Sequence, residues 1–456
     1  MTELLPGTRR ALLHRVATAQ ADGRAPSMVA AVVRDGRMVW TAARGGIGGQ
    51  QPDVDMQYRV GSLTKTFAAV LVLRLRDDGR LDLSDRLEQH LPGTGVGQIS
   101  IAQLLAHTGG LAAVPPGPWW ERTPGELRPA LSDVLGERPV AYPAGRRYHY
   151  SSSGYALLGA LVERLRGQPW QAVLRTEVLE PLGMTRTVAQ PEPGHATGWA
   201  VHPWADVLLP EPTEDYGPMA ASGQLWSTAA DLCRWASFLI AGDDRVLSAA
   251  TVAEMRTPAS PPDDSDQDAG YGLGVQLLRR DGQHLVGHTG SVPGFLAALW
   301  VSPDDGVGAV TLANATAGPV IGRITADLVK IVTEQEPRIP DVWRPLTDAD
   351  PVLLDLAGPW YWGPFPFVIR VEADRTLDLA PLAGRGRRSR LRPEPDGTWT
   401  GLDGYFAGET LRIGRDSDGV VTHLDLCTYI LTRAPYDPDT PIPGGVDPAG
   451  WRSVPR

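Results

Sequence analysis

The chain has 456 residues, 42% hydrophobic and 21% charged, the balance of a folded globular protein with room for two or three domains. Its net charge of −10 argues against nucleic acid or an anionic membrane surface as the main partner. Its two cysteines, Cys233 and Cys427, show no metal-ligand spacing and indicate no disulfide framework.

In chain order, helical periodicity runs from Thr8 to Ala21 and ends at Asp22-Gly23. The apolar runs Ser27–Val33 and Met38–Ala43 flank Arg34-Asp35-Gly36-Arg37, a hairpin signal. A loop over Gly45–Gln51 leads to Val60-Gly61-Ser62-Leu63-Thr64-Lys65-Thr66. That segment opens a buried helix, which stops at Asp78-Gly79 with Gly79 suited to a left-handed cap. From about 81 to 258 the chain reads as helical and loop-rich. Ile101–Ala106 is a short helix before His107-Thr108-Gly109-Gly110, and Ser153–Arg164 is a longer one with Tyr155, Leu158, Leu161 and Val162 on one stripe. Between them, Pro115-Pro116-Gly117-Pro118-Trp119-Trp120 is too proline-rich for helix or central strand and predicts a rigid loop with two exposed tryptophans. Thr228 to Asp231 has the form of a capping box with Asp in place of Glu. Ser260–Gly270, acidic and rich in Pro and Asp, predicts a mobile loop.

Strand signals return at Tyr271–Leu278, Gln283–Gly287, Phe295–Val301 and Val307–Leu312, followed by a helix from Val320 to Val332. Strands at both ends of a helical region imply an α+β fold: one antiparallel sheet built from distant segments and flanked by helices, with a helical subdomain over 81–258. Beyond a Pro-rich stretch the pattern changes to short strands: Pro359–Trp362, Phe367–Val371, Thr376–Leu379, Thr398–Thr400, Thr410–Ile413, Val420–Leu424 and Thr428–Thr432. These predict a small all-β barrel or sandwich. The expected division is a domain over 1–340, a linker at 341–350, a β domain at 351–436 and a tail at 437–456. The N-terminus lacks a basic segment before an apolar run and no stretch reaches membrane-spanning length, so a cytoplasmic location away from membranes is the default expectation.

The chemistry concentrates at Ser62 and Lys65. Residues three apart share a helical face, so hydroxyl and amine can meet. A serine becomes a useful nucleophile when a neighbouring base takes its proton, and a lysine serves as that base only when neutral. Burial and the positive end of a helix both favour the neutral amine. Only two of the 43 Lys+Arg residues are lysines, Lys65 and Lys330, so the chain writes arginine where a bare positive charge suffices. Lysine at 65 then points to a need for an amine that can lose its proton. Two further segments could surround Ser62. One is the hydroxyl-rich Tyr148-His149-Tyr150-Ser151-Ser152-Ser153-Gly154-Tyr155. The other is Gly287-His288-Thr289-Gly290-Ser291, at the end of one strand, where a glycine lets backbone come close and aim an amide at a substrate oxygen.

Together these segments resemble the β-lactamase-related serine hydrolase superfamily, near class C β-lactamases, D-Ala-D-Ala carboxypeptidases and family VIII esterases. That family carries Ser-x-x-Lys, Tyr-x-Asn and (Lys/His)-Thr-Gly in this order, matched here by Ser62-Leu63-Thr64-Lys65, Tyr150-Ser151-Ser152 and His288-Thr289-Gly290. Leu104–Leu111 and Pro181-Leu182-Gly183-Met184 are supporting segments, and the resemblance spans roughly Leu12 to Val332. It implies Ser62 as nucleophile of an acyl-enzyme and Lys65 with Tyr150 sharing the base and acid roles. It further implies an oxyanion hole from the backbone N–H groups of Ser62 and Ser291, with His288, Thr289 and Gly290 facing substrate. It implies no metal and no cofactor. Ser152 departs from the family's Asn: either serine does a reduced version of its job, or substrates lacking the usual amide side chain are accepted. The C-terminal module resembles lipocalin-like β domains appended to some members, with a capping or a purely structural role open to it.

The remaining candidates have plainer readings. Tyr155 falls on an apolar stripe and reads as core; Tyr148 is an alternative to Tyr150; His149 reads as a neighbour without duty, and His107 as a structural turn. Trp119 and Trp120 stand between a cleft lid that touches substrate and ordinary loop packing. The resulting expectation is a serine hydrolase acting on a small-molecule ester, amide or peptide, with acyl transfer to an amine or a catalytically silent binding protein as the alternatives. The missing export signal argues against cell-wall peptides.

Overall fold

The computed structural model describes residues 3–46, 51–261, 268–346, 348, 350–435 and 443. The chain divides into two compact units, Met1–Arg338 and Ile339–Arg456. Most of the acidic stretch between Ser260 and Gly270, part of the Gly45–Gln51 loop and nearly all of the 437–456 tail lie outside the described residues.

The first unit is α+β. Its sheet contains β1 (Ser27–Arg34), β2 (Arg37–Gly45), β3 (Ala269–Tyr271), β4 (Gln276–Arg280), β5 (Gln283–Val292), β6 (Phe295–Ser302) and β7 (Val307–Ala313), in the order β2-β1-β7-β6-β5-β4-β3 and antiparallel throughout. The β1–β7 register, Met28 opposite Ala313, joins the two ends of the unit's sequence. Strand β1 has apolar residues on both faces because both are covered. Val29, Ala31 and Val33 enter one core, while Met28, Ala30 and Val32 enter the other. The second core is closed by α1 (Pro6–Asp22) and the helix Ile321–Gln335, on which Lys330 pairs with Asp281 at 2.7 Å. The first core holds the helices of the inserted segment, among them α2 (Thr64–Asp77), Ser152–Arg166 and Ala229–Ala241. Thr228 caps the last of these by accepting from Asp231 N, but the Asp231 carboxylate turns to Arg186 N, Thr187 and Arg234, so the capping box is half made.

Two strands differ from expectation. Tyr271–Leu278 is two strands, β3 and β4, because Gly272 N–H bonds Val275 O and Gly274 takes φ +87° in a turn between them. A side chain at Gly274 would meet the Ala69 Cβ of α2 at 2.1 Å, so the turn lets this edge pack against that helix. Strand β5 runs through to Val292, placing His288-Thr289-Gly290 inside the strand and not after its end.

The second unit holds a closed barrel of eight strands among the described residues, from Gly358–Trp362 to Tyr429–Thr432. Trp360, Leu377, Leu391, Leu411, Leu424 and Leu426 fill it. The strand Ser389–Pro393 was not expected, since its sequence reads as an arginine run. Ser389 and Leu391 point inward, while the flanking Arg388, Arg390 and Arg392 each hold a carboxylate outside (Asp378, Asp403 and Glu394). Cys427 lies in the turn before the last strand, with φ +65°. Among the described residues no helix is long and apolar enough to cross a membrane, and no group of three or more His, Cys, Asp or Glu is arranged to hold a metal ion.

Candidate active site

From Met56 to Leu73 every residue is buried except Ser62. The segment passes through the core and surfaces at one hydroxyl. Ser62 sits on the 3-10 turn Gly61–Leu63, from which α2 continues at Thr64. Gly61 adopts φ +53°, a conformation costly for any residue with a Cβ. Lys65 lies one turn on and is fully buried, and its Nζ donates to Ser62 Oγ at 3.0 Å and to the Ser222 carbonyl at 2.8 Å. Burial lowers its pKa to about 7, against a smaller opposing pull from the negative charge of Glu121. The neutral amine is therefore well populated near neutral pH, as the sequence argument requires.

Tyr150 completes the group. Its ring lies 4.9 Å from Lys65 Nζ at the centroid. Burial drives its hydroxyl well above the ordinary phenol range, partly offset by its interaction with Ser62. That interaction does not close as a well-formed hydrogen bond, and the buried Tyr150 hydroxyl has no partner of good geometry. Beneath it lies His107, buried and at φ +56°, its ring centroid 4.2 Å from that of Tyr150. Tyr155 is core, as expected, and donates its hydroxyl to Leu105 O at 2.9 Å.

Strand β5 borders Ser62 on the other side. A Cβ on Gly61 would stand 3.0 Å from Ser291 N, and one on Gly290 3.2 Å from Ser62 N. The two amides expected to form an oxyanion hole therefore belong to one close backbone contact, and Ser291 is exposed there. The strand's alternation corrects two expectations. Val286, His288, Gly290 and Val292 point to the Ser62 side, whereas Thr289 points through the sheet, its Cγ2 3.0 Å from where a Cβ on Gly322 would stand. The Thr289 amide and hydroxyl are held by Gln276 Oε1 at 3.0 and 3.3 Å. His288 is on the correct face but buried. Its Nδ1 donates to the Thr289 carbonyl at 2.5 Å and its Nε2 accepts from the Tyr271 hydroxyl at 3.0 Å, which leaves neither nitrogen for a substrate. Burial holds its pKa down near 3, so it is neutral.

Ser152 is buried at the start of its helix, with its N–H on Ala113 O and its carbonyl accepting from Ser222 Oγ at 2.6 Å. Ser222 thus ties the segment after Tyr150 to Lys65, a link that no side-chain motif announces because a carbonyl does half the work. The two tryptophans part company. Trp119 is exposed, donates to Glu121 Oε2 at 2.9 Å and lies under Arg122, whereas Trp120 is only half exposed and packs on Tyr216 at 4.8 Å. Glu121, the residue after them, is the nearby acid, and no motif marks it. Burial raises its pKa while Lys65 and Arg59 oppose that rise.

The sequence pattern of the Beta-lactamase family matches residues 13–334. The chain belongs to the β-lactamase family of serine hydrolases. Penicillin-binding protein 4 of Amycolatopsis lactamdurans is 31% identical over 364 residues, which cover 74% of this chain and 86% of that protein. The chain spans about half the length of several other curated relatives it matches. A D-stereospecific amidohydrolase from Streptomyces sp. superposes with a TM-score of 0.59 at 26% identity, over 73% of this chain and 99% of that one. An octameric penicillin-binding protein homologue from Pyrococcus abyssi shares the fold at 21% identity and a TM-score of 0.62, over 93% of this chain and 99% of that one. Residues 349–433, in the second unit of this β-lactamase family chain, match a domain of unknown function, DUF7586.

Proposed function

We propose that this chain hydrolyses amides or esters of small amino acids through an acyl-enzyme on Ser62. One observation carries the reaction: the 3.0 Å hydrogen bond to Ser62 Oγ from a buried amine whose pKa is lowered to about 7. Neutral Lys65 takes the hydroxyl proton as Oγ attacks the substrate carbonyl. The N–H groups of Ser62 and Ser291 receive the oxyanion of the tetrahedral intermediate. The proton passes through Lys65 and Tyr150 to the leaving amine or alcohol as its bond to the carbonyl carbon breaks. Water then adds to the acyl-enzyme with the same groups acting in reverse, and Ser62 regains its proton.

Glu121 supports the amino-acid part of this reading. It is a partly buried carboxylate with no ion pair among the described residues, set in the field of Lys65. A substrate ammonium on the acyl side would complete it. Two tests bear on it: fluorophosphonate labelling followed by mass spectrometry and, on separate unlabelled protein, hydrolysis of D- and L-alanine amide and phenylalanine amide, each with its N-acetyl counterpart. One adduct on Ser62, and faster turnover of the free amines, are expected. Absence of an adduct on the folded protein overturns the hydrolase reading, and equal turnover of the acetylated amides overturns the role of Glu121.

A further inference from the structure

The Tyr150 hydroxyl meets Ser62 without closing a well-formed hydrogen bond, so its tip alone does not fix where it stands. Its ring and its backbone must do so, and both lead to His107. The His107 carbonyl accepts from His149 N at 2.8 Å and its Nδ1 accepts from Ser151 N at 3.0 Å. His107 therefore holds the backbone N–H of the residue on each side of Tyr150 while its imidazole lies against the Tyr150 ring, tilted by 36°. Backbone carbonyl and side chain converge on one stretch of chain while His107 holds φ +56°, a conformation unfavourable for a residue with a Cβ. Its Nε2 is buried without a hydrogen-bond partner, a second cost. Two unfavourable features at one buried residue mark a position retained for what it holds in place.

We propose that His107 is the positioning residue for Tyr150. The proposal rests on the reading that Tyr150 takes part in proton transfer at Ser62. The chemistry of the clamp requires a neutral imidazole. Nδ1 must present a lone pair to Ser151 N–H, so the single ring proton sits on Nε2. An imidazolium would set Nδ1–H against Ser151 N–H and open the clamp. The surroundings keep the ring neutral. Tyr148, Tyr150, Tyr155 and Tyr271 enclose it, and Lys65, His288 and His149 add only positive charge to a fully buried group.

The test compares His107→Leu, His107→Asn and His107→Gln with Tyr150→Phe in the full chain, using p-nitrophenyl acetate. Asn places an acceptor oxygen where Nδ1 stands and tolerates a left-handed backbone; Gln carries its acceptor one bond too far. His107→Leu and His107→Gln are expected to lose about 10²-fold in kcat with KM within threefold, the scale of a misplaced catalytic group. His107→Asn is expected to recover to within about tenfold of the parent. The acid limb of the pH profile stays in place in all of them, since it belongs to Lys65. Should His107→Leu fail to fold, the Asn and Gln pair decides alone. Equal activity of Asn and Gln, or a Leu variant that folds and keeps its kcat, overturns the proposal. A fully active Tyr150→Phe instead overturns the underlying reading of Tyr150.

Discussion

Gly290 stands so close to Val60 that a Cβ on the glycine would lie 2.0 Å from the Val60 carbonyl oxygen. This contact sets the distance between strand β5 and the turn that carries Ser62. Gly290→Ala must push the two apart, at about 1–3 kcal/mol by the usual cost of overpacking. The expected result is a lower melting temperature together with a fall in kcat, because Ser62 N and Ser291 N separate. Calorimetry and steady-state kinetics on the same preparation check both. Unchanged kcat in a destabilised variant would remove the two amides from the mechanism.

Lys65→Arg keeps a positive charge and removes the ability to lose it. Activity is expected to drop about 10²–10⁴-fold, the range of a lost general base. Ser62→Ala is expected to lose more, on the order of 10⁴-fold or beyond. Both are read as initial rates of p-nitrophenyl ester hydrolysis. A mild effect of Lys65→Arg would refute the neutral-amine argument.

The pH dependence has a defined sign. Lys65 works when neutral, so kcat/KM rises with pH through a limb near 7. Glu121 raises the lysine's pKa through its negative charge, so Glu121→Gln moves the limb to lower pH. Movement of the limb to higher pH would mean that the titrating group is not Lys65.

In the barrel, Leu391 is wholly buried on the strand between the paired arginines. Leu391→Ala is expected to cost about 2–5 kcal/mol. Differential scanning calorimetry of the full chain reads this as a lower transition for the C-terminal unit. No change would mean that this strand is not part of the barrel's core.

Much of the site could be read from residue spacing because its first two members share one helical turn, where sequence distance is spatial distance. The sheet's two ends were legible for a similar reason, since apolar runs with Asp-Gly turns between them mark strands. What sequence concealed follows from the same logic. Ser222 acts through a carbonyl, which every residue possesses. Ser389–Pro393 hides its inward Ser and Leu among charges that find partners at its own end in Glu394, on the strand Leu377–Pro381 in Asp378 and in the loop beyond Gly401 in Asp403. His288 and Thr289 stand side by side in the motif, but a strand sends neighbours to opposite faces. His107 looks like a plain turn in the sequence because its partners lie 42 to 44 positions onward in the chain.

The scarcity of lysine has a practical side. One of the two lysine side chains is sealed beneath Ser62, and the other rides the helix Ile321–Gln335, which packs on the opposite face of the sheet. A reagent that seeks side-chain amines would find Lys330 alone within reach. Tethering the protein to a surface by that amine would attach the first unit through the face of its sheet opposite the Ser62 side.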